Sequence, residues 1–288
     1  MATTQLRKSA PGKPRFRKSW LPAHMLVWAY AVLLAIPLYY FLASAFKSNE
    51  AIFSSPLSPP TSFGFGNFRT AFESAGLGSA IVNSGLVTVF SLALTLGLAI
   101  PAAFGLARSR GRVASLVEKV FSLGFLIPTF AALFPTFLLS AVTGLFHTRL
   151  FMVLFLPATA MPLSVVILIQ FMRTIPQEME EAARIDGAST FGVLRHIYTP
   201  MCMPGIATVL LLNFLTFWNE YLYSLIIIGP DPDLRTVQVA LPTLKSQIGT
   251  DYGVLTAGTI LTLVPVWIMY TLLQRRMQQA LVSGAVKM

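Results

Sequence analysis

Long apolar stretches alternate with short polar ones along the whole chain. Six stretches approach or exceed the roughly 20 apolar residues that cross a bilayer as a helix. They fall at about 25–46, 80–107, 115–142, 151–172, 204–228 and 254–274. None shows the two-residue alternation of a barrel strand, and only helices or closed barrels satisfy their backbone groups in lipid. The pattern predicts an all-α integral membrane protein with six transmembrane helices and no separate soluble domain. It divides the chain into a basic tail at 1–24, a first helix and external loop at 25–78, a membrane core at 79–275, and a C-terminal tail at 276–288.

One polar segment stands apart. Residues 178–205 gather Glu178, Glu180, Glu181, Arg184, Asp186 and Arg195 in a chain that is only 11% charged. Pro176 suits the first turn of a helix, where its missing N–H costs nothing. The glutamates follow where the helix dipole favours negative charge, and Glu180 and Arg184 stand four residues apart in the favourable order. Gly187 is placed to end this helix in a left-handed cap. Ser189 or Thr190 can cap a second helix, with Phe191, Leu194 and Ile197 on one face, before Pro200 and Pro204. The local code spells helix, tight turn, helix. Ala182 and Ala183 leave a shallow spot for another protein surface. A docking element and a solvated helical loop between spans both fit these residues.

The net charge of +10 changes the picture through its distribution. With the N-terminus in the cytoplasm, Arg7, Lys8, Lys13, Arg15, Arg17 and Lys18 lie inside. So do Arg108, Arg110, Arg112, Lys119, Arg173, Arg184, Arg195, Arg275, Arg276 and Lys287. Only Lys47, Arg69, Arg149, Arg235 and Lys245 fall outside, so the positive-inside bias predicts that both termini are cytoplasmic. The basic balance is thus a topology signal, and no nucleic-acid partner is called for. Ala43-Ser44-Ala45 resembles a signal cleavage site, but the preceding apolar run is too long for a signal core. It is expected to stay as a membrane helix.

Enzyme chemistry finds no residues. Cys202 is the single cysteine, and His24, His147 and His196 are scattered over different segments, which argues against a metal site. No sequence fits the phosphate-cradling GxxxxGK[ST] loop, GxSxG or HExxH. Gly64-Phe65-Gly66 reads as a turn, followed by a short helix around Asn67 to Ser74. Pro128, Pro135, Pro157, Pro162 and Pro265 predict kinked spans. Gly97, Ala99, Ala102, Ala103 and Gly105 would let helices approach closely.

Glu220 is the one acidic residue well inside an apolar span, beside Trp218, Asn219, Tyr221 and Tyr223. A carboxylate at depth must be paired, hydrated or protonated. Aromatic rings and amide or carboxylate groups are what a sugar needs, and Asn213, about two turns earlier, is a weaker candidate of the same kind. A structural or gating role fits these residues as well. The external loop at 229–253 carries Asp231, Asp233, Arg235, Lys245 and Asp251, a candidate contact for a partner outside the cell membrane.

Glu181-Ala182-Ala183, Gly187, Ile197 and Pro200 together resemble the EAA motif of ABC-importer permease subunits, with Thr199 in place of the usual leucine. Asn83-Ser84, Ala107-Arg108, Pro128, Ile185-Asp186-Gly187-Ala188 and Trp218-Asn219-Glu220 resemble the carbohydrate branch, the maltose-permease G subunit family. Leu234-Arg235-Thr236 and Gly284-Ala285-Val286-Lys287 do so too. The resemblance implies a type I importer permease fold whose coupling helices, near 176–199, dock on an ATP-binding subunit. Coupling would fall to Glu181, Ala182, Ala183, Asp186, Gly187, Ile197 and Pro200, and docking becomes the favoured account of the island.

The pathway candidates are Asn213, Trp218, Asn219, Glu220 and Tyr223; those for binding-protein contact are Asp231, Asp233, Arg235 and Lys245. The implied partners are a second homologous permease, two ATP-binding subunits and an extracytoplasmic solute-binding protein, in a bacterial or archaeal cytoplasmic membrane. This chain would bind no cofactor of its own, Mg-ATP being held by the ATPase subunits. An importer of glycerol phosphate esters or another small solute, and a stand-alone secondary transporter, are the alternatives.

Overall fold

The computed structural model describes residues 21–109, 111–245 and 250–285. The basic residues before position 20, Arg110, and the tail residues Val286 and Lys287 lie outside the described residues. Within them the regular structure is helical, apart from one isolated bridge between Lys245 and Thr250.

Among the described residues, four helices are long and apolar enough to cross a membrane: α1 (Leu21–Ser44), α4 (Leu77–Arg108), α7 (Arg149–Arg173) and α13 (Tyr252–Ala285). A fifth crossing is available if α11 (Met203–Trp218) is counted with the helical segment Thr190–Met201, from which it is bent by 76°. Two short helices, α2 (Asn49–Ser54) and α3 (Gly66–Ser74), sit between α1 and α4. The second of these is the one expected at Asn67 to Ser74.

The stretch expected as a third span is two helices. It comprises α5 (Arg112–Leu123), a 3-10 turn at Gly124–Leu126, and α6 (Thr129–Val142). Pro128 holds Ile127 extended, at ψ 111°, which stops the first helix. Gly124 lies so close to α7 that a Cβ there would come 2.5 Å from Cγ of Pro162. The break falls where the two helices press together. The stretch expected at 204–228 is interrupted too: α11 ends at Trp218, and a π-helical segment, Ser224–Ile228, follows a short gap.

The main packed pair is α4 against α7, joined by α11. One apolar cluster lies toward the Leu77 end of α4 and includes Leu77, Val87, Met152, Phe214, Trp218 and Val237. A second lies beneath the charged island and includes Ala103, Leu168, Met172, Val193, Tyr198 and Val209. Of the small residues of α4, Ala99 and Ala103 are fully buried, one turn apart, whereas Gly97 and Gly105 face outward with nothing near them. Close approach is therefore confined to one stripe. The membrane window of α1 has no residue buried among the described residues, although the helix touches α13.

The region between α1 and α4 is laced by buried polar groups. Lys47 is 5% exposed and donates to the carbonyls of Ser55 and Pro56 at 3.0 and 3.1 Å. Asn67 Nδ2 donates to the carbonyls of Ala45 and Lys47, both at 3.0 Å. Gly253 must be glycine here, because a Cβ would stand 2.4 Å from the Lys47 carbonyl.

Candidate functional site

The island folds as its local code predicts. Helix α8 (Gln177–Ile185) follows Pro176, and Gly187 adopts φ +85°, a conformation that costs little only for glycine. Ala188 N–H reaches the Ala183 carbonyl at 2.9 Å and Gly187 N–H reaches Arg184 at 3.0 Å. These two bonds form a Schellman cap and satisfy carbonyls the helix would leave open. Of the two candidate caps for the next helix, Ser189 does the work: its Oγ accepts the Gly192 N–H at 3.1 Å ahead of α9 (Thr190–Val193). A π-helical segment, Leu194–Tyr198, and the short α10 (Thr199–Met201) complete the return toward α11.

The face turned outward is shallow and carries bare apolar side chains among charged ones. Glu181, Ala182, Asp186, Gly187 and Pro200 are exposed, and Ala183 and Ile197 are half-buried. Ile185 is 86% exposed and Phe191 68%, on either side of the Gly187 turn. Two bare side chains of that size beside alanines form a surface ready to be covered. Glu181 touches only its own helix, accepting from Gln177 Nε2 at 3.1 Å.

The inward face holds a residue that sequence reasoning treated only as a helix-pair partner. Glu180 is 9% exposed and is the one buried residue of α8. Its Oε2 accepts from Arg108 Nε at 2.5 Å and Tyr198 Oη at 3.2 Å, and its Oε1 from Arg184 Nη2 at 2.9 Å. Arg108 also lies over the Tyr198 ring, 5.0 Å from its centroid, and Phe104 meets that ring edge-on at 4.8 Å. Burial pushes the Glu180 carboxyl up, but the hydrogen bonds from Arg108 and Arg184, the Arg108 charge and the Tyr198 hydroxyl together outweigh it and hold the carboxyl below its usual range. The sequence signal for Glu180 was its spacing of four residues from Arg184, which shows nothing of Arg108 or Tyr198.

The pathway candidates are mostly committed to structure. Asn213 is buried and donates to Ser164 Oγ at 2.8 Å. Trp218 is buried, stacks on Phe214 with centroids 5.8 Å apart, and donates Nε1–H to the Thr262 carbonyl at 3.1 Å, pinning α11 to α13. Glu220 caps the segment that follows. Its Oε1 accepts the Tyr223 N–H at 2.7 Å, and its Oε2 accepts the Ser224 N–H at 2.8 Å and hydroxyl at 2.7 Å. Tyr223 is buried against Phe155. Asn219 alone is exposed; its Oδ1 accepts from Gln238 Nε2 at 3.1 Å.

In the loop at 229–253, Asp231, Asp233 and Lys245 are exposed, but Arg235 is only 8% exposed. Its guanidinium turns inward and donates to the Ala75 carbonyl at 2.9 Å. The loop also dips into the body as α12 (Val237–Ala240), whose Val237 and Ala240 are fully buried. Asn83 holds it there, donating to the carbonyls of Asp233 and Arg235 at 2.9 and 3.1 Å while accepting from Arg149. Ser84 Oγ accepts the Val237 N–H at 2.9 Å. Asn83-Ser84 and Leu234-Arg235-Thr236, separate in the sequence, are thus two halves of one clamp.

Residues 95–282 match the family described as binding-protein-dependent transport system inner membrane component. The diacetylchitobiose uptake system permease protein NgcG of Streptomyces coelicolor is 33% identical over 267 residues, covering 92% of this chain and 88% of that protein. Among solved structures, a chain from a bacterial ABC transporter involved in import of the acidic polysaccharide alginate superimposes with a TM-score of 0.77 at 20% identity. That match covers 91% of this chain and 99% of the other. A chain from a bacterial alginate ABC transporter in complex with an alginate pentasaccharide-bound periplasmic protein gives a TM-score of 0.68 at 18% identity, over 92% of this chain and 96% of that one. Both structural likenesses concern the fold.

Proposed function

The chain belongs to the family of binding-protein-dependent transport system inner membrane components, and from that premise we propose that it is the membrane-spanning permease of an ATP-driven importer carrying a sugar or oligosaccharide inward. The observation that carries this reading is the island: an ordered, capped helix pair whose outer face is bare. The sugar assignment follows its 33%-identical relative, a diacetylchitobiose uptake permease. In this reading α5 and α6 together make the third of six spans, and α11 with the segment after it makes the fifth, with both termini in the cytoplasm. The division of the chain at about 24, 78 and 275 follows from that topology.

The proposed partners are a second homologous permease, two ATP-binding subunits that hold Mg-ATP, and an extracytoplasmic solute-binding protein. Glu181, Ala182, Ala183, Asp186, Gly187, Ile197 and Pro200 form the coupling segment, with Ile185 and Phe191 as its apolar anchors in a cleft of the ATPase. Closure of the ATPases on ATP displaces the island, rocks the helices and opens the path toward the loaded binding protein; hydrolysis resets it. Asp231, Asp233 and Lys245 are proposed contacts for the binding protein. Arg235 shapes the loop from within, and Asn219, exposed although its amide is bonded to Gln238 and the Leu215 carbonyl, is the pathway residue proposed to meet cargo. Asn213, Trp218, Glu220 and Tyr223 support the path through the bonds described above.

Co-purification tests the reading. Ile185→Asp and Phe191→Asp change exposed side chains, so the chain is expected to remain in the membrane while the ATPase subunits no longer co-purify. Undiminished co-purification, or uptake by the isolated chain without ATP, would overturn it.

A further inference from the structure

Helix α8 is attached to the body in an unusual way for an amphipathic helix. Its single buried residue is Glu180; beside the half-buried Ala183, which packs on the apolar cluster beneath, the deepest tie to the body is a carboxylate. Three segments meet on that carboxylate. Arg108 is the last residue of α4, Tyr198 closes the π-helical segment, and Arg184 is on α8 itself. The Glu180 and Arg108 side chains are only 12% and 20% exposed, and Arg108 Nη2 is buried with no second acceptor. By contrast, the neighbouring pair of Arg173 with Glu118, which ties α7 to α5, is 42% and 26% exposed.

Apolar contacts are non-directional and let surfaces slide, whereas a buried, hydrogen-bonded ion pair has one good geometry. Such pairs add little net stability compared with apolar replacements, and their best-attested use is to fix register. The position of this one, between the docking helix and the foot of the longest helix of the packed pair, gives register a purpose. Resting on the importer reading above, we propose that Glu180 and Arg108 are positioning residues that make α8 and the foot of α4 move as one body, so that displacement of the docked helix reaches the membrane helices without slip. Tyr198, bonded to Glu180 and stacked beneath Arg108, carries the second island helix along with them.

The test is a distance measured in the whole complex, with permeases, ATPases and binding protein assembled. Spin labels are placed at Glu178→Cys on α8 and Ser109→Cys beyond α4, both exposed positions, with cysteine-free partner subunits; the native Cys202 is buried. Without nucleotide and after trapping with Mg-ATP and vanadate, the otherwise unaltered chain is expected to give the same single, narrow distance. Glu180→Gln is expected to lose that narrow distance and to make the mean depend on nucleotide. A nucleotide-dependent distance in the otherwise unaltered chain, or an unchanged narrow distance in Glu180→Gln, would overturn the proposal. Should the single variant fail to assemble, Glu180→Gln with Arg108→Gln leaves no buried unpaired charge, and the same loss is expected of it; a retained narrow distance there overturns the proposal equally. Failure of the importer reading looks different: the purified complex would show no vanadate-sensitive ATP hydrolysis.

Discussion

Asn83→Ala gives the sharpest test of how the loop at 229–253 is held. The amide joins three groups from elsewhere in the chain: the carbonyls of Asp233 and Arg235, and the Arg149 guanidinium. Each buried polar group left without a partner costs about 1–3 kcal/mol. Arg149 is only half-buried and can turn toward water, so its share falls at the low end. Taking about 1 kcal/mol for each of the three gives about 3 kcal/mol, or roughly a hundredfold rise in the population with the loop undocked. The loop carries its own reporter, because the buried Arg235 side chain must come out before trypsin can cut after it. When opening is fast compared with cutting, the cleavage rate follows the open population. Limited trypsinolysis of the solubilised complex, read at the Arg235–Thr236 bond by mass spectrometry, should therefore accelerate by up to about two orders of magnitude. Asn83→Asp, which keeps an acceptor for Arg149 but cannot donate to the carbonyls, should fall between. A cleavage rate in Asn83→Ala equal to that of the unaltered chain would refute the clamp.

Three further outcomes are expected. Gly205→Ala places a Cβ 2.5 Å from the Phe171 ring and 3.1 Å from its Cβ, so the ring cannot simply swing aside; forcing α7 and α11 apart should cost about 1–3 kcal/mol, and an unchanged Tm of the solubilised complex would contradict the packing. Trp218→Phe keeps the stack on Phe214 but loses the donor to Thr262; a loss of about 1 kcal/mol in denaturant unfolding is expected, and none would mean that the bond does not hold α11 to α13. Because the folded Glu180 carboxyl is held below its usual range by Arg108, Arg184 and Tyr198, against the upward push of burial, its contribution is fully present above the unfolded value of about 4.3. It is lost as pH falls through the lower folded value, so complex stability should show an acid transition below about pH 4 that is absent in Glu180→Gln. A Glu180-dependent transition near neutral pH would be incompatible with this.

The island was legible in the sequence because its rules are local. A proline, two caps and a glycine at φ +85° determine helix, turn and helix within a few residues of one another. The break between α5 and α6 was hidden because Pro128 alone reads as a kink. What decides it is Gly124 against Pro162, a contact between helices that one-dimensional hydropathy does not carry. Glu220 read as a lone carboxylate at depth, since its partners are backbone N–H groups that the sequence does not display. Arg235 read as exposed because polar loops usually are; its inward turn depends on the Ala75 carbonyl, 160 residues away. Glu180 was half legible: its bond to Arg184 follows helical spacing, but its bonds to Arg108 and Tyr198 belong to tertiary structure.

Helix α4 runs unbroken through 32 residues, about 48 Å at 1.5 Å per residue, despite Pro101 in its last third. Asn83, near its first turn, grips the loop at 229–253, and Arg108, at its last residue, grips the island. A rod held at both ends converts rotation into travel: a tilt of about ten degrees about one end carries the other about 8 Å. A disturbance too small to separate any packed side chains near the pivot would thus shift the far grip by more than the diameter of a water molecule, and the two faces of the membrane would be geared together by the length of a single helix.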